Sequence, residues 1–316
     1  MKKVAFFSIY ILVWVIQTNA QNQAVVSFKN RPILYADLGY NVNPFRIEYP
    51  FSGQLGALAY KNNFSPFLGL GFAYKWFHVR FGFPVIGNLR PNNKFGKTTQ
   101  YNFAYDFSHK HIWYDLELKT TFGYALKQPK FILPDAYSFN LMTNGRYFHN
   151  PDFQIDGLLG KRAHYNAQIL TWYLKGTLNY FGSGNSSGSL IPNDAQNGND
   201  QILTIERLKA FDFGATPGIA YVNRKKNWQI GGWAGVGPVV QFKEYHTATY
   251  SQIRLGLAPR YDVRLMGGYS SDEKFFFLVS DFDNKSLRFD DLKYRQIYFA
   301  LKFVAGYRFK DKASTN

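Results

Sequence analysis

The chain has 316 residues, of which 37 are Lys or Arg and 21 are Asp or Glu, and its formal net charge is +16. It contains no Cys, which excludes a disulfide framework and thiol chemistry. Aromatic residues make up 19% of the chain while the mean hydropathy stays at −0.28, a balance typical of transmembrane barrels, in which lipid-facing and lumen-facing residues alternate.

The first residues have the three parts of a secretory signal peptide. Lys2 and Lys3 precede an apolar run at residues 4–16, and small residues follow it up to Ala20. The apolar run is too short to span a membrane as a helix. We therefore predict a signal peptide at residues 1–20, cleaved after Ala20, in preference to an uncleaved helical anchor. No later apolar run is long enough for a transmembrane helix, so export leads to a soluble protein or to a β-barrel.

Residues 21–45 have a mixed character. Residues 33–40 have the composition of a strand, but Pro32 and Pro44 bracket them. Counting this segment would give an odd number of strands and would begin the barrel on the wrong side of the membrane, since bacterial single-chain barrels have an even number. We therefore predict that residues 21–45 form a periplasmic N-terminal lead or a partial plug.

From Arg46 to Phe309 apolar and polar residues alternate with a period of two, which predicts β-strands. In the last strand, at residues 294–309, Ile297, Leu301 and Phe303 share one face. The pattern predicts about twelve strands, and ten or fourteen are the alternatives because residues 137–159 and 216–218 are irregular. The connections are alternately long and short, as in outer-membrane barrels. Residues 310–316 form a C-terminal tail.

The predicted fold class is therefore all-β, an antiparallel transmembrane outer-membrane β-barrel at residues 46–309. In hydrocarbon only helices and closed barrels give every backbone N–H and C=O group a partner. A soluble β-sandwich is the alternative, but several predicted strands are longer than sandwich strands usually are. Aromatic residues near the strand ends fit the interfacial girdles of a barrel; they are Tyr74, Trp76, Trp113, Tyr124, Trp172, Tyr180 and Phe309.

Charged residues recur on the face opposite the apolar one, and we predict that they line the lumen. The basic residues of this set are Lys119, Lys175, Lys243, Arg254, Arg260, Arg264, Lys302 and Arg308, and the acidic ones are Asp115, Glu117 and Asp262. A ring of basic side chains favours the passage of anions. The alternative is that these cations pair with the acids and with Tyr hydroxyls and fill a narrow barrel.

The sequence predicts no catalytic residue, no metal site and no cofactor. The densest group of possible proton-transfer residues is the run Ser108-His109-Lys110-His111, which falls in a predicted periplasmic turn. Neighbours in sequence do not define a triad, and no third ligand at a suitable spacing accompanies His109 and His111. We therefore interpret this run as a solvated turn, and the chain as a protein without enzymatic activity.

The signal peptide, the Gly- and aromatic-rich hairpin at residues 68–76 and the C-terminal Tyr307-Arg308-Phe309 make the chain similar to outer-membrane β-barrels of Bacteroidota. In particular it resembles a family of barrels of about this length that is known only as a domain of unknown function. The resemblance implies the outer membrane of a Gram-negative bacterium and a barrel architecture, and it carries no catalytic residues. The tail after Phe309 departs from the family's pattern, in which the aromatic residue is last.

The expected function is that of a porin-like, narrow channel or transport barrel for small solutes, with a bias towards anions. The alternative is a closed barrel that acts as a surface-binding or envelope-structural protein, and a lipid-modifying enzyme is the least favoured reading. The expected partners are outer-membrane lipid and lipopolysaccharide, the barrel-assembly machinery and periplasmic chaperones. We expect a monomer, exported by the general secretory route, that does not bind nucleic acid.

Overall fold

The computed structural model describes residues 24–48, 57–85, 87–109, 112–126, 130–192, 204–290 and 292–310. Its strands are β1 (Val25–Ser27), β2 (Ile33–Val42), β3 (Phe45–Glu48), β4 (Ala57–Lys61), β5 (Pro66–Tyr74), β6 (Phe77–Pro84), β7 (Thr99–His109), β8 (Ile112–Leu126), β9 (Phe131–Phe148), β10 (Ala163–Tyr165), β11 (Ile169–Asn185), β12 (Ile205–Lys225), β13 (Trp228–Thr247), β14 (Ser251–Ser270), β15 (Lys274–Arg288) and β16 (Lys293–Arg308). Two one-turn helices, α1 (Asn92–Phe95) and α2 (Ile155–Leu158), lie in connections. The predicted signal peptide lies outside the described residues.

Twelve of the described strands form a closed antiparallel ring. Each pairs with the next, in the order β2, β5, β6, β7, β8, β9, β11, β12, β13, β14, β15 and β16. β16 then pairs with β2, from Phe299 opposite Val42 to Arg308 opposite Ile33. Closing the ring removes both edges of the sheet. The predicted fold class, an antiparallel outer-membrane-type β-barrel of about twelve strands, is confirmed.

The barrel begins at Ile33, so the prediction of a lead or plug over the whole of residues 21–45 and of a barrel from Arg46 is wrong. β2 alternates as a wall strand does: Tyr35 and Asp37 point inward and are buried, whereas Leu38 points outward and is 52% exposed. Pro32 and Pro44 do not prevent this, since both flank the strand. Residues 24–32, which precede β2, lie inside the turn end of the barrel, as defined below.

Where the alternation predicts the barrel to begin, at Arg46, the structure has two short strands, β3 and β4, at one mouth of the barrel. β3 pairs with the first residues of β16, and β4 pairs with β3 and with the last residues of β8. Together β3 and β4 join β16 to β8 and complete the wall at a level that the short strands β5, β6 and β7 do not reach. The predicted number of strands is right because β2 takes the place of this segment in the ring.

The two ends of the barrel differ. The connections β5–β6, β7–β8, β12–β13 and β14–β15, of two or three residues each, lie with Phe309 at one end, here called the turn end. Most connections at the other end, the loop end, are longer, although the one between β13 and β14 also has three residues. At the turn end the connection from β9 to β11 is the exception. The strand predicted through residues 137–159 stops at Phe148, and residues 149–168 carry α2 and β10. β12 is unbroken at residues 216–218, where the pattern is irregular.

A β-bulge at Gly123 reverses the faces of β8. Its φ is +80°, and the register shifts between Phe122 and Tyr124. A bulge inserts one residue, so the side chains beyond it change sides. Phe122 is therefore 45% exposed on the outside while Tyr124 is fully buried inside. Trp113 also points inward and is buried, so neither Tyr124 nor Trp113 belongs to the predicted aromatic girdle.

The outer surface is apolar and the interior polar along the rest of the wall. On β16, Ile297, Leu301 and Phe303 are 41–54% exposed, whereas Tyr298 and Arg308 point inward and are buried. In water such a surface would be costly, and in a bilayer it is the surface that lipid contacts. Among the described residues no helix has the length and apolar character needed to cross a membrane.

Candidate functional site

The middle of the lumen is filled by ion pairs. Alternation along the wall strands brings both signs of charge to the inner face, where each basic side chain lies within reach of an acid. The nitrogen-to-oxygen distances of these ion pairs are as follows: Arg80–Asp37 2.6 Å, Lys119–Glu117 2.8 Å, Arg146–Asp115 2.5 Å, Arg146–Asp262 3.2 Å, Lys175–Asp262 3.5 Å, Lys285–Asp283 3.3 Å and Lys302–Asp281 3.2 Å. Arg260 also pairs with Asp212, and Arg264 with Asp281.

Arg146 is the centre of this layer. Its guanidinium lies 4.9 Å from the ring centroid of Trp113 and 5.0 Å from that of Trp233. It also donates to Asp115 and Asp262 from the opposite walls of the barrel. The planar fork of Arg suits two carboxylates and two aromatic faces at once. This side chain therefore crosslinks strands β8, β9 and β14 through the middle of the lumen.

The turn end is closed by a plug, defined as residues 24–32 and 149–168. β1 pairs with β10, with Val25 opposite Tyr165. Apolar plug residues such as Phe28 and Leu158 join a buried cluster with the inner faces of the wall strands. Arg308 crosses from the wall into the plug, where its guanidinium donates to the carbonyl oxygen of Lys161 at 2.7 Å and to that of Gly160.

Arg162 joins the plug to the wall electrostatically. Its guanidinium pairs with Asp106 on β7 at 2.9 Å and with Asp156 of the plug at 2.5 Å, and all three side chains are buried. Asp106 also accepts a hydrogen bond from the His78 ring, whose other nitrogen lies 2.5 Å from the Tyr35 hydroxyl. A buried chain of polar groups therefore runs from the wall to the plug, and each link is hydrogen-bonded.

A cavity of about 90 Å³ separates the plug from the ion-pair layer. Lys161 of the plug lines it, together with His78, Arg264 and Lys302 of the wall. The Lys161 ammonium lies 4.1 Å from the ring centroid of Tyr35. Burial lowers the pKa of Lys161 from 10.5 to about 7, and the nearby Asp106 and Asp37 raise it only partly. The plug thus presents to the lumen an amine that changes charge near neutral pH.

The loop end is closed by an apolar cap. Leu190 and Ile191, from the polar loop between β11 and β12, are fully buried there among the inward-facing aromatic residues of the wall. The Tyr60 hydroxyl donates to the Leu190 carbonyl at 2.9 Å, and the Leu190 N–H donates to the Ile205 carbonyl at 2.6 Å. The described part of this loop therefore folds back into the mouth of the barrel, and residues 193–203 lie outside the described residues.

The structure distributes the predicted lumen residues over three environments. In the first environment, the middle layer, eight of the predicted residues take part in ion pairs: Lys119, Lys175, Arg260, Arg264, Lys302, Asp115, Glu117 and Asp262. Arg308 is buried at the turn end and anchors the plug. Lys243 and Arg254 lie towards the loop end, where the Lys243 ammonium donates to the Arg288 carbonyl and the 48% exposed Arg254 side chain pairs with Asp290.

Several residues of the site were not predicted. Asp37 lies on the strand that was taken for a lead, Arg146 lies on the segment judged irregular, and Arg162 lies in the plug. Asp281 lies on β15, which continues to Arg288. The alternation of residues 33–42 was a usable signal for Asp37. No local signal marks Arg162, because its partners are distant in sequence.

A closed antiparallel ring with an apolar outside and a polar, ion-paired inside defines an outer-membrane β-barrel. Within the described residues no group of three or more His, Cys, Asp or Glu side chains is arranged to hold a metal ion. The chain belongs to the DUF4421 family, a domain of unknown function, whose model matches residues 25–309. No curated protein matches the chain in sequence.

Solved structures of similar fold include outer-membrane proteins of other families. The outer membrane protease OmpT from Escherichia coli aligns with 11% identity and a TM-score of 0.43, covering 93% of this chain and 100% of OmpT. An outer membrane channel from Pseudomonas putida F1 aligns with 9% identity and a TM-score of 0.42, covering 92% and 100%. The toluene transporter TodX from P. putida aligns with 8% identity and a TM-score of 0.32, covering 89% and 91%.

Proposed function

We propose that this protein is a closed barrel of the outer membrane of a Gram-negative bacterium, with a surface-binding or envelope-structural function and no enzymatic activity. Export by the general secretory route with cleavage after Ala20, and a source among the Bacteroidota, are part of the proposal. The short connections at the turn end support a periplasmic location for that end, and the longer ones an extracellular location for the loop end.

The filled middle of the lumen is the observation that carries this proposal. Each inward basic side chain of the described middle layer has a carboxylate partner, so the predicted ring of free cations is neutralised. Breaking one buried ion pair costs about 3–5 kcal/mol, and a solute crossing this layer would have to separate several. The plug and the apolar cap close the lumen on either side of the layer. The closed barrel is therefore favoured over the open channel for anions.

The single-channel current of the refolded mature chain in a planar bilayer tests this proposal. Folding is established beforehand by the heat-dependent shift of the band in gel electrophoresis. We expect a folded, inserted protein that passes no steady current at moderate voltage. Discrete openings with a preference for anions would overturn the closed barrel and support the channel that the basic residues first suggested.

A second candidate function is transport after displacement of the plug. The cavity beside Lys161 and the polar contacts between plug and wall, in particular those of Arg162, favour this function. Water can replace such polar contacts more easily than it can replace the contacts of an apolar core. Under this candidate, Arg162→Ala should pass current where the native chain does not. Under the closed barrel, the same variant should stay silent because the ion-pair layer still fills the lumen.

A further inference from the structure

The barrel wall has a notch between β14 and β15. β14 pairs with β13 along nearly all of its length, from Tyr269 to Ser251. β14 and β15, in contrast, pair only from Ser270 opposite Phe275 to Asp262 opposite Asp283. Above that point, towards the loop end, residues 251–261 of β14 have no neighbouring strand on this side among the residues that the structure describes. The notch is the space between these residues and residues 284–288 of β15.

Asn284 replaces the backbone ladder at the base of the notch. Its side-chain oxygen accepts a hydrogen bond from the Tyr261 N–H at 2.8 Å, and its side-chain nitrogen donates to the Pro259 carbonyl at 3.3 Å. Pro259 has no N–H to offer to a ladder. A side-chain amide thus takes the place of a peptide group, and the two strands separate at a position set by the sequence.

The unpaired edge combines free backbone groups with apolar side chains. In an antiparallel strand alternate residues point their N–H and C=O groups to the same neighbour. Because Tyr261 and Pro259 face β15, the next residues in this series, Leu257, Leu255 and Ile253, point theirs into the notch. Their side chains are 75%, 65% and 65% exposed, the three highest values among the large apolar residues described.

The position of the notch places it at the outer boundary of the membrane. Tyr180, Phe211, Phe242 and Leu255 lie opposite one another on four adjacent strands. All four are exposed on the outside of the barrel, as residues of an interfacial girdle are. Leu255 is the last of this row and borders the notch. An occupant of the notch therefore meets hydrocarbon below and lipid headgroups above.

The rim above the notch is basic. Arg254 is half exposed, and its partner Asp290 is 81% exposed at 3.4 Å, so their pair is open to solvent. Lys243 reaches across to the carbonyl oxygen of Arg288, whose own side chain is exposed. Lys243 itself is buried, so the exposed cations at the upper opening are Arg254 and Arg288, with one acid, Asp290, beside them. Such a rim attracts anionic headgroups.

The shape of the notch decides between a lipid and a strand. A third strand would need the neighbouring strands about 10 Å apart, twice the usual spacing of 4.7–4.9 Å. Asn284 ties the two strands together at the base, and the Arg254–Asp290 pair ties them at the top. Because contacts at both ends hold the two strands together, we expect an acyl chain in the notch and not an extended peptide.

We propose that the notch between β14 and β15 binds an anionic lipid of the outer leaflet. The acyl chain packs against Leu255 and Leu257, the acyl carbonyl accepts hydrogen bonds from the exposed backbone N–H groups, and the phosphate lies against Arg254 and Arg288. Leu255 and Leu257 lie on the outside of the wall and Arg254 lies at the rim of the loop end, so the site does not depend on whether the lumen conducts.

The test uses a fluorophore on a single cysteine, which is possible because the chain has none of its own. The mature chain with Leu257→Cys is labelled and refolded into vesicles that contain either dibrominated phosphatidylglycerol or dibrominated phosphatidylcholine, whose bromines quench nearby fluorophores. The matched control is Leu265→Cys, which is on the same face of β14, is 61% exposed and lies where β15 pairs.

We expect half-maximal quenching at position 257 at about fivefold less of the anionic lipid than of the zwitterionic one, the ratio that about 1 kcal/mol gives. Position 265 should show no preference. Adding Arg254→Gln should remove the preference, whereas Arg46→Gln, a half-exposed residue at the same end of the barrel, should retain it. Equal quenching by both lipids at position 257 would overturn the proposal, as would energy transfer between labelled copies with no quenching by lipid.

Discussion

Replacing Arg162 by Ala should release the plug without unfolding the barrel. The variant removes two buried ion pairs, at 2.9 Å to Asp106 and at 2.5 Å to Asp156. Breaking a buried pair costs about 3–5 kcal/mol. Both acids keep other partners, since Asp156 retains Lys29 at 3.1 Å and Asp106 retains His78. The cost should therefore fall at the low end, about 3 kcal/mol, which lowers the ratio of docked to released plug about 100-fold.

Hydrogen exchange measured by mass spectrometry reports this ratio directly. Peptides that cover residues 155–165 should exchange about 100-fold faster in Arg162→Ala, while peptides from the wall strands should keep their protection. The control is Arg46→Ala, which removes a pair with Glu48 in which the Arg side chain is 57% exposed. Exposed pairs contribute at most about 1 kcal/mol. Unchanged exchange in the plug of a folded Arg162→Ala barrel would refute the role given to Arg162.

Three further predictions follow from the plug, the lumen and the wall. Docking of the plug should strengthen as pH rises from about 7 to about 10, because docking lowers the pKa of Lys161 from 10.5 to about 7 and the released plug binds the extra proton. Hydrogen exchange of the plug, corrected for its intrinsic pH dependence, should lose this trend in Lys161→Met. A trend that persists in this variant would contradict the role given to Lys161. Arg146→Ala should lower the free energy of unfolding, measured by urea in lipid vesicles, by about 3–5 kcal/mol. Arg146→Lys should recover only part of this free energy, because one ammonium cannot bind two carboxylates as the guanidinium does. Full recovery in Arg146→Lys would mean that only the charge of Arg146 matters. Gly123→Ala should cost more than about 2 kcal/mol, since its φ is +80° and a Cβ would lie 1.8 Å from a backbone carbonyl oxygen, whereas Gly145→Ala, with its nearest atom at 3.5 Å, should be close to neutral in the same assay.

The sequence was sufficient for the wall and insufficient for the plug. A period of two is a local property, so the alternation of β16 and the polar inner face could be predicted from neighbouring residues. The contacts of Arg162 depend on Asp106 and Asp156, which only the closed ring brings together. The bulge at Gly123 was missed for a related reason: an inserted residue leaves the apolar pattern intact and changes only the side to which it points.

The strand at residues 33–42 shows how a correct rule led to a wrong boundary. Pro is excluded from the interior of a ladder, and Pro32 and Pro44 were therefore taken to mark a segment outside the barrel. In the structure both lie just beyond the ends of β2, and the Pro44 carbonyl still accepts a hydrogen bond from the Ile297 N–H at 3.2 Å. Proline at the two ends of a segment delimits a strand as well as it excludes one. The alternation of Tyr35 and Asp37 with Leu38 was the better guide.

The excess of positive charge has a different location from the one that the composition suggested. In the described middle layer of the lumen the basic side chains are matched by carboxylates, so the formal charge of +16 cannot be assigned to a ring of free cations there. Exposed basic residues lie instead at the two ends of the barrel, for example Arg254, Arg288 and Lys226. Exposed cations at a membrane boundary act on lipid phosphates, and salt screens them within about 8 Å at physiological ionic strength. Binding of anionic lipid by this protein should therefore weaken steeply with added salt, whereas the ion pairs of the lumen, which are shielded from solvent, should not respond.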